Sequence, residues 1–304
     1  MKHWNKEIDI AFARGYTAEA IEGIKALERR LDEEAALGAA HDDIVYRYAV
    51  AETLSMPDAL LAFETMEKEY GISKYSLEML LMLNALPALH EKYRKHGLSD
   101  TVYYDTVDGI RAKVNECMEN KGVVGTFVAW WCDRYFKLTC FAFGCMEYEI
   151  KTYEGEPYTL PSGYVLQSGA KYVNMHIPAR GIPLTDATRN ASYRAAYAHF
   201  LPQFENGLVL FGCNSWLLYP RHLEFLPKSM NTCRFIRDFE IVKWSETEDF
   251  PDRWRIYGRH ASRPDAKLPR DTKLRAAYAE WLCGGNKAGK GFGVFLFDGE
   301  RIVT

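Results

Sequence analysis

Residues 172–184 have the sequence YVNMHIPARGIPL, and residues 207–216 have the sequence GLVLFGCNSW. The first stretch begins as a mainly apolar strand and passes into a loop that contains Gly181 and Pro183. Thr185 is placed to cap a helix, which we expect to run to about Phe204 because aromatic residues recur there at helical spacing. The second stretch predicts a buried strand. This order of strand, loop, helix and strand is typical of an α/β domain.

The loop at residues 179–184 is the best candidate for binding an anion. A loop that follows a strand and opens a helix presents backbone N–H groups, and the helix dipole favours negative charge there. Gly181 allows a ligand to approach the backbone closely, and Arg180 adds positive charge. The sequence therefore predicts a phosphate-binding loop, with an ordinary turn as the alternative.

Further strands surround this unit in the second half of the chain. Residues 136–143 and 146–153 are rich in aromatic and β-branched residues, and they predict a hairpin. We expect additional strands at residues 239–244, 254–257 and 291–297, and a helix that Asp271 caps and that runs to Cys283.

The first 120 residues differ, because their apolar residues recur mainly at helical spacing. We expect helices at residues 18–37, 57–70, 76–95 and 99–120, with Gly38, Gly71 and Gly122 following three of them. The sequence therefore predicts an α+β fold. A helical bundle in residues 1–120 is followed by an α/β domain in residues 121–304, whose central sheet is mixed and mostly antiparallel.

Charge is unevenly distributed between these two parts. Residues 1–120 have a balance of −8 and residues 121–304 a balance of +5, within a net charge of −3. A mildly basic second half suits a phosphorylated small ligand better than a nucleic-acid duplex, which needs a stronger basic face. Eight basic residues lie within residues 253–275, against only Asp265 and Asp271. This run predicts either an anion-binding surface or salt bridges on an ordinary basic surface.

Cysteine usage and hydropathy indicate the compartment. Seven cysteines are scattered without a CxxC pair, so the sequence favours a reducing compartment and predicts no metal site. The chain opens on an amphipathic segment, and its longest apolar run, near residues 79–89, is too short to span a bilayer. We expect a cytoplasmic protein with no membrane and no nucleic-acid partner.

His176 and Glu149 are the candidate proton acceptors. His176 ends the central strand, and histidine is the side chain that accepts a proton near neutral pH. Alternation places Glu149 on the same face as Glu147, and a carboxylate can remove a proton through water. The alternatives are a histidine hydrogen-bonded at a strand end and a solvated sheet face. Cys213 is a weaker candidate for a nucleophile, since buried cysteines are usually inert.

Four short motifs in the second half resemble a known family. They are His176-Ile177-Pro178 with Gly181 and Pro183-Leu184, Cys213-Asn214-Ser215-Trp216-Leu217-Leu218-Tyr219-Pro220, Leu226-Pro227, and Leu268-Pro269-Arg270-Asp271-Thr272 with Leu274-Arg275. They are similar to a bacterial family of predicted acyltransferases with a helical N-acyltransferase N-terminal domain and a GNAT-like C-terminal domain. The likeness covers much of residues 135–304.

The resemblance implies an activity and a donor. The activity is transfer of an acyl group from acetyl-CoA or another acyl-CoA to an amine of a small-molecule acceptor, by direct attack and without a covalent enzyme intermediate. The donor would enter between two splayed strands, here residues 172–178 and 207–213. The residues implied for donor binding are Ile177, Arg180, Gly181, Leu184 and Asn214.

The resemblance also implies catalytic roles. His176 or Glu149 would be the base that accepts the proton of the attacking amine. Tyr219 would be the acid that protonates the leaving thiolate.

Two other functions stay open on the sequence. Pro183 has no backbone N–H to offer a phosphate, and this favours a non-catalytic small-molecule or CoA-binding protein on the same fold. The other alternative is a thioesterase or amidase that uses Cys213 with His176.

Overall fold

The protein consists of two compact units. A computed structural model describes residues 5–303, and its first unit ends at Ala142 while the second begins at Phe143. The helices of the first unit are α1 (Lys6–Ala13), α2 (Ala18–Glu33), α3 (Ala35–Val45), α4 (Met56–Tyr70), α5 (Lys74–Asn84), α6 (Leu86–Lys95), α7 (Asp100–Lys121) and α8 (Ala129–Phe136), with a π-helical turn at Tyr46–Val50. The predicted helical bundle is confirmed, and its compact unit extends past residue 120 because α8 packs against α4 and α5.

Helix α5 lies at the centre of the first unit. Every residue from Ser76 to Leu83 is buried, as the apolar sequence of this segment predicts. The expected single helix over residues 76–95 is nevertheless two helices, since α5 ends at Asn84 and Pro87 lies in the first turn of α6. Proline lacks the N–H that a continuous helix would need at this position.

Helix α3 corrects the expectation of a helix that stops at Gly38. The first helix ends earlier, at Glu33, and Glu34 leaves helical geometry with a ψ of 85°. Gly38 is buried inside α3, and its N–H bonds to the Glu34 carbonyl at 2.9 Å as helix geometry requires. The glycine is therefore part of a packed helix rather than its terminator.

Glu28 on α2 is a buried carboxyl group. It is 0% exposed, and neither carboxyl oxygen has a hydrogen-bond partner within residues 5–303. Burial raises the pKa of Glu28 to about 7, while the nearby Asn84 amide acts in the opposite direction. The folded state therefore binds this proton more tightly than the unfolded chain does.

We expect Glu28→Gln to stabilise the first unit at pH 8 and to change its stability little at pH 4. The pKa of Glu28 is raised in the folded state. Its favourable contribution to the free energy of unfolding is therefore complete below about pH 4.5 and is lost as the pH rises through about 7. At about 1.4 kcal/mol for each pKa unit, the gain at pH 8 should be about 3 kcal/mol. Urea denaturation of the wild type and the variant at both pH values measures this change in the free energy of unfolding.

Glu33→Gln is the matched control for this prediction. Glu33 is exposed on the same helix, so its substitution should give no pH-dependent gain. Equal gains in the two variants would show that burial of Glu28 is not the cause.

The second unit contains the sheet and the helices around it. Its elements are β1 (Cys140–Phe143, which spans the boundary), β2 (Met146–Thr152), β3 (Tyr158–Thr159), β4 (Val165–Leu166), β5 (Lys171–His176), α9 (Asp186–Phe200), β6 (Val209–Ser215), α10 (His222–Phe225), α11 (Asn231–Phe235), β7 (Glu240–Thr247), α12 (Arg253–Tyr257), α13 (Lys273–Cys283) and β8 (Ala288–Phe297).

The central sheet has six strands in the order β1-β2-β5-β6-β8-β7. Strands β5 and β6 are parallel, while β2 with β5, β6 with β8 and β7 with β8 are antiparallel. This confirms the predicted mixed and mostly antiparallel sheet. A parallel pair needs a crossover connection, and α9 supplies it. The carboxyl ends of β5 and β6 therefore lie at the same edge of the sheet.

Two predicted strand segments are wrong. Residues 254–257 lie in α12, where the adjacent residues Ile256 and Tyr257 are both buried, and a half-buried strand would alternate instead. In the segment 136–143 the strand begins only at Cys140, because α8 continues to Phe136 and Leu138 turns the chain with a φ of 53°.

Candidate active site

Three polar side chains meet on strands β2 and β5. The antiparallel register places Glu149 opposite Asn174 and Glu147 opposite His176. His176 Nε2 lies 2.8 Å from Glu149 Oε1, and Asn174 Nδ2 lies 3.0 Å from the same histidine nitrogen. The side chain of His176 is 22% exposed and that of Glu149 is 10% exposed. The sheet thus joins the two candidate bases into one group that solvent still reaches.

Glu149 is a stable carboxylate in this group. Lys151 Nζ lies 2.9 Å from Glu149 Oε1, the same oxygen that contacts His176. Burial acts to raise the pKa of Glu149, but the hydrogen bonds and charges of His176 and Lys151 outweigh it and lower the pKa to about 2. A carboxylate with so low a pKa is a weak base at neutral pH. Its negative charge instead favours a positively charged neighbour.

This charge determines which nitrogen of His176 accepts a proton. An ionised carboxylate is only an acceptor, so Nε2 of His176 donates its hydrogen to Glu149, and the Asn174 amide, which is also a donor, bonds Glu149 Oε1 at 3.5 Å rather than the ring nitrogen. The lone pair of the neutral imidazole is then on Nδ1. A carboxylate that holds one ring nitrogen and stabilises the imidazolium is the arrangement of histidine bases in hydrolases. The geometry therefore favours His176 as the base and Glu149 as the group that orients it.

Asn174 and Lys151 are members of this group that were not among the sequence candidates. Asn174 precedes His176 by two residues and Lys151 follows Glu149 by two residues, so strand alternation places each pair on one face. The contact of Lys151 with Glu149 is within β2, whereas that of Asn174 depends on the register between β2 and β5. The sequence shows the alternation, but a register follows only from the folded sheet.

The parallel pair β5 and β6 opens beside this group. In this register Val173 pairs with Phe211 and Asn174 pairs with Gly212. Each strand continues beyond its last paired residue, β5 to His176 and β6 to Ser215. On the far side of β6, pairing with β8 continues to Ser215. Asn214 is exposed near the end of β6. A ligand of extended shape could thus reach backbone groups of both strands past Asn174.

The loop after β5 has one feature that suits a ligand and one that does not. Gly181 has a φ of 79°, and a Cβ built there would have no heavy atom within 4 Å. Arg180, in contrast, is only 4% exposed, and its Nη2 donates to the Met146 carbonyl at 3.2 Å. Ile177 and Leu184 are half-buried on either side. The backbone at Gly181 is open, while the Arg180 guanidinium contacts the interior.

The helix that follows the loop begins as predicted. Thr185 accepts a hydrogen bond from the Thr188 N–H, and α9 runs from Asp186 to Phe200. The expected extension to Phe204 is a 3-10 turn at Leu201–Gln203, which contains a proline. The first turn of α9 therefore faces the same end of the sheet as the open loop.

Tyr219 lies elsewhere on the sheet. It is 0% exposed, its hydroxyl donates to Glu246 Oε1 at 2.5 Å, and its ring lies where a Cβ of Gly289 would be. These contacts place it against β7 and β8, whereas Glu149 is on β2. Burial and the Glu246 carboxylate raise the pKa of Tyr219. Its role as the acid stays a prediction, and Glu246 is a competing partner for its proton.

Cys213 is not placed as a nucleophile. Its side chain is 0% exposed, and burial raises the pKa of its thiol. The reactive species of a cysteine is the thiolate, which burial in apolar surroundings disfavours. The structure therefore gives the thioesterase and amidase alternative no support.

The family comparison identifies both parts of the chain. Residues 10–138 match the N-acyltransferase N-terminal domain, and residues 140–295 match the GNAT-like C-terminal domain. The second match covers more than half of the chain, so the protein belongs to the acyltransferase family that these two domains define. This confirms the resemblance seen in the sequence motifs. Among curated proteins, no sequence matches the chain.

Solved acyltransferase structures share the fold. One, in complex with decanoyl-CoA, is 21% identical with a TM-score of 0.69, and the match covers 94% of this chain and 86% of that one. A variant in complex with octanoyl-CoA is 17% identical with a TM-score of 0.61 and coverages of 94% and 93%. An acyltransferase in complex with CoA and 10C-teicoplanin is 17% identical, with a TM-score of 0.60 and the same coverages. At sequence identities this low, the structural similarity establishes the fold alone.

Within residues 5–303, no helix combines the length and the apolar character needed to cross a bilayer. The same residues contain no group of three or more His, Cys, Asp or Glu side chains arranged to hold a metal ion.

Proposed function

We propose that the protein transfers an acyl group from an acyl-CoA to an amine of a small-molecule acceptor. The observation that carries this proposal is the contact of His176 with Glu149 beside the point where β5 and β6 part. Family membership supports acyl transfer as the reaction class. Complexes of similar folds with decanoyl-CoA and octanoyl-CoA support CoA as the carrier.

In the proposed reaction the amine nitrogen attacks the thioester carbonyl carbon directly. The new C–N bond forms, the C–S bond breaks, and the sulfur leaves as the CoA thiolate. His176 accepts the proton that the amine loses, and a proton passes from the imidazolium through solvent to the thiolate, so that amine and thioester give the amide and the CoA thiol with His176 neutral again. Glu149 stabilises the imidazolium while His176 carries the proton. No covalent enzyme intermediate is needed.

The donor would lie along the parting strands. Gly181 offers an open backbone for the pyrophosphate, and the start of α9 supplies a favourable dipole. Asn214 is exposed at the end of β6, where its amide suits the pantetheine arm. Ile177 and Leu184 would flank the loop. Arg180 would need to exchange its contact with Met146 for a phosphate, so we assign it the smallest part in binding.

A product assay tests the proposal. The purified protein is incubated with decanoyl-CoA and a panel of small-molecule amines, including aminosugars, and the mixture is analysed by mass spectrometry. An acceptor that gains the mass of a decanoyl group, with release of one equivalent of CoA thiol, would support acyl transfer. Thiol release without any acylated amine would indicate hydrolysis instead.

We expect Glu149→Gln to lower turnover by about tenfold to a hundredfold while leaving the donor Kd within about twofold. Glutamine keeps the shape but removes the charge that stabilises the imidazolium. Lys151→Met, which leaves the Glu149 charge in place, should change turnover by less than about threefold. A turnover of Glu149→Gln equal to that of the wild type would remove Glu149 from the mechanism.

One observation keeps a non-catalytic CoA-binding protein as the second candidate. The arginine of the predicted phosphate loop contacts the interior, so the loop lacks the exposed cation expected of it. Saturable binding of acyl-CoA with no product from any amine in the panel would favour this candidate.

A further inference from the structure

The segment Arg253–Arg275 forms a basic surface, which we call the basic lobe. It comprises α12, two 3-10 turns at Gly258–His260 and Asp265–Lys267, and the first turn of α13. Three of its cations are neutralised, because Arg253, Arg255 and Arg275 each form an ion pair with an aspartate. The remaining five are exposed and have no acidic partner within residues 5–303; they are Arg259, Arg263, Lys267, Arg270 and Lys273.

The basic lobe lies at the edge of the sheet where β5 and β6 end. Its apolar core includes Leu268 and Tyr278, and Trp216, which directly follows β6, packs against this core. The same core includes Ala288, the first residue of β8, whose strand is antiparallel to β6. Since β5 is parallel to β6, the strand that bears His176 also ends at this edge. The unneutralised charge is therefore on the side of the sheet from which a donor would enter.

Arg259 and Arg263 are the best positioned of the five cations. They flank a turn whose backbone is fixed by the bond from Arg263 N to His260 O at 3.1 Å and by the bond from Arg253 Nη2 to Arg263 O at 2.6 Å. Desolvation lowers the pKa of His260, and the charges of Arg263, Arg259 and Arg275 lower it further, while the Asp271 carboxylate acts more weakly in the opposite direction. The guanidinium groups thus gather around one short turn and repel additional positive charge. Such a concentration of charge suits a compact dianion.

We infer that the basic lobe binds the 3′-phosphate of the CoA donor, chiefly through Arg259 and Arg263. This inference rests on the proposed function. A phosphate monoester is dianionic near neutral pH and offers three acceptor oxygens to guanidinium groups. The pyrophosphate is assigned to the loop at Gly181, so the 3′-phosphate is the remaining charged group of the donor. The lobe is too small, and the chain too close to neutral, for a nucleic-acid duplex.

Titration calorimetry with CoA and with 3′-dephospho-CoA tests the inference, since the two ligands differ only in this phosphate. The wild type should bind CoA about tenfold more tightly than 3′-dephospho-CoA. The double variant Arg259→Ala, Arg263→Ala should reduce this ratio to below about threefold while its affinity for 3′-dephospho-CoA stays within about threefold. Adenosine 3′,5′-bisphosphate should compete with CoA for the wild type and much less for the variant.

A charge-matched double variant is the control. Arg194→Ala with Arg301→Ala removes two cations near Glu300, at the opposite end of β8 from the lobe. This control should keep the wild-type ratio of the affinities for CoA and 3′-dephospho-CoA. An unchanged ratio in the lobe variant, or equal binding of the two ligands by the wild type, would overturn the inference and leave the proposed function intact. Failure of the wild type to bind either ligand would overturn both.

Discussion

His176→Ala is expected to lower turnover by about a hundredfold or more while the affinity for acyl-CoA stays within about twofold. General base catalysis by a positioned side chain contributes about 10²–10⁴-fold to enzyme rates. His176 Nε2 is held at 2.8 Å from the Glu149 carboxylate, so the ring is oriented and its other nitrogen carries the lone pair. Alanine removes the proton acceptor but leaves the open strands and the Gly181 loop, which we assign to the donor. Turnover from initial rates of thiol release, together with calorimetric affinity, measures both quantities.

Asn174→Ala is the matched control for this experiment. Asn174 contacts the same histidine at 3.0 Å from the same strand, but an amide cannot accept the proton of an amine. Its loss should lower turnover by less than about tenfold, through poorer orientation of the ring. A His176→Ala variant that keeps wild-type turnover would remove His176 from the mechanism. A large loss of donor affinity would instead make it a binding residue.

Phe211→Ala is expected to destabilise the second unit by about 3–5 kcal/mol, the range for truncating a buried aromatic ring. Phe211 on β6 is 0% exposed. Its ring stacks on Phe295 of β8 with centroids 5.3 Å apart and contacts Tyr148 of β2 at 5.9 Å and Tyr193 of α9 at 6.1 Å. The cavity would therefore adjoin two strands and the crossover helix. Urea denaturation followed by circular dichroism measures the loss.

Leu223→Ala is the control for that measurement. Leu223 is 39% exposed in the same unit, so the change should cost about 1 kcal/mol or less. A loss in Phe211→Ala no greater than in Leu223→Ala would mean that the ring is not part of the core. Because Val173 on β5 pairs with Phe211, we also expect the destabilised variant to bind acyl-CoA less tightly.

Much of the fold follows from local sequence signals. Thr185 caps a helix at the predicted place, and Gly71 and Gly122 end two predicted helices with φ values of 63° and 66°. The predicted cap Asp271 is wrong, because the Thr272 side chain accepts the capping hydrogen bond from Arg275 N. These signals act within one turn of the chain, so the sequence alone reveals them. The break after Glu33 and the helical state of residues 254–257 are different. Neither is marked by a local signal of this kind, and tertiary context routinely overrides local preference.

The candidate site was predictable only in part. His176 and Glu149 were expected from residue type and strand position, and their contact follows from an antiparallel register across 27 residues of sequence. The lowered pKa of Glu149 could not be predicted, since it depends on Lys151 and His176 sharing one oxygen. The burial of the Arg180 side chain could not be predicted either, because an arginine in a loop is usually exposed.

A calorimetric titration of the purified protein with acetyl-CoA, octanoyl-CoA and decanoyl-CoA is the most direct test of the acyl-CoA site. We expect saturable binding of one donor per chain with a Kd of about 1–100 μM for at least one of them. Binding should persist in His176→Ala and weaken when a side chain is placed on the open backbone, as in Gly181→Val. No binding of any of the three donors would contradict the account, because the fold would then be present without the acyl-CoA site.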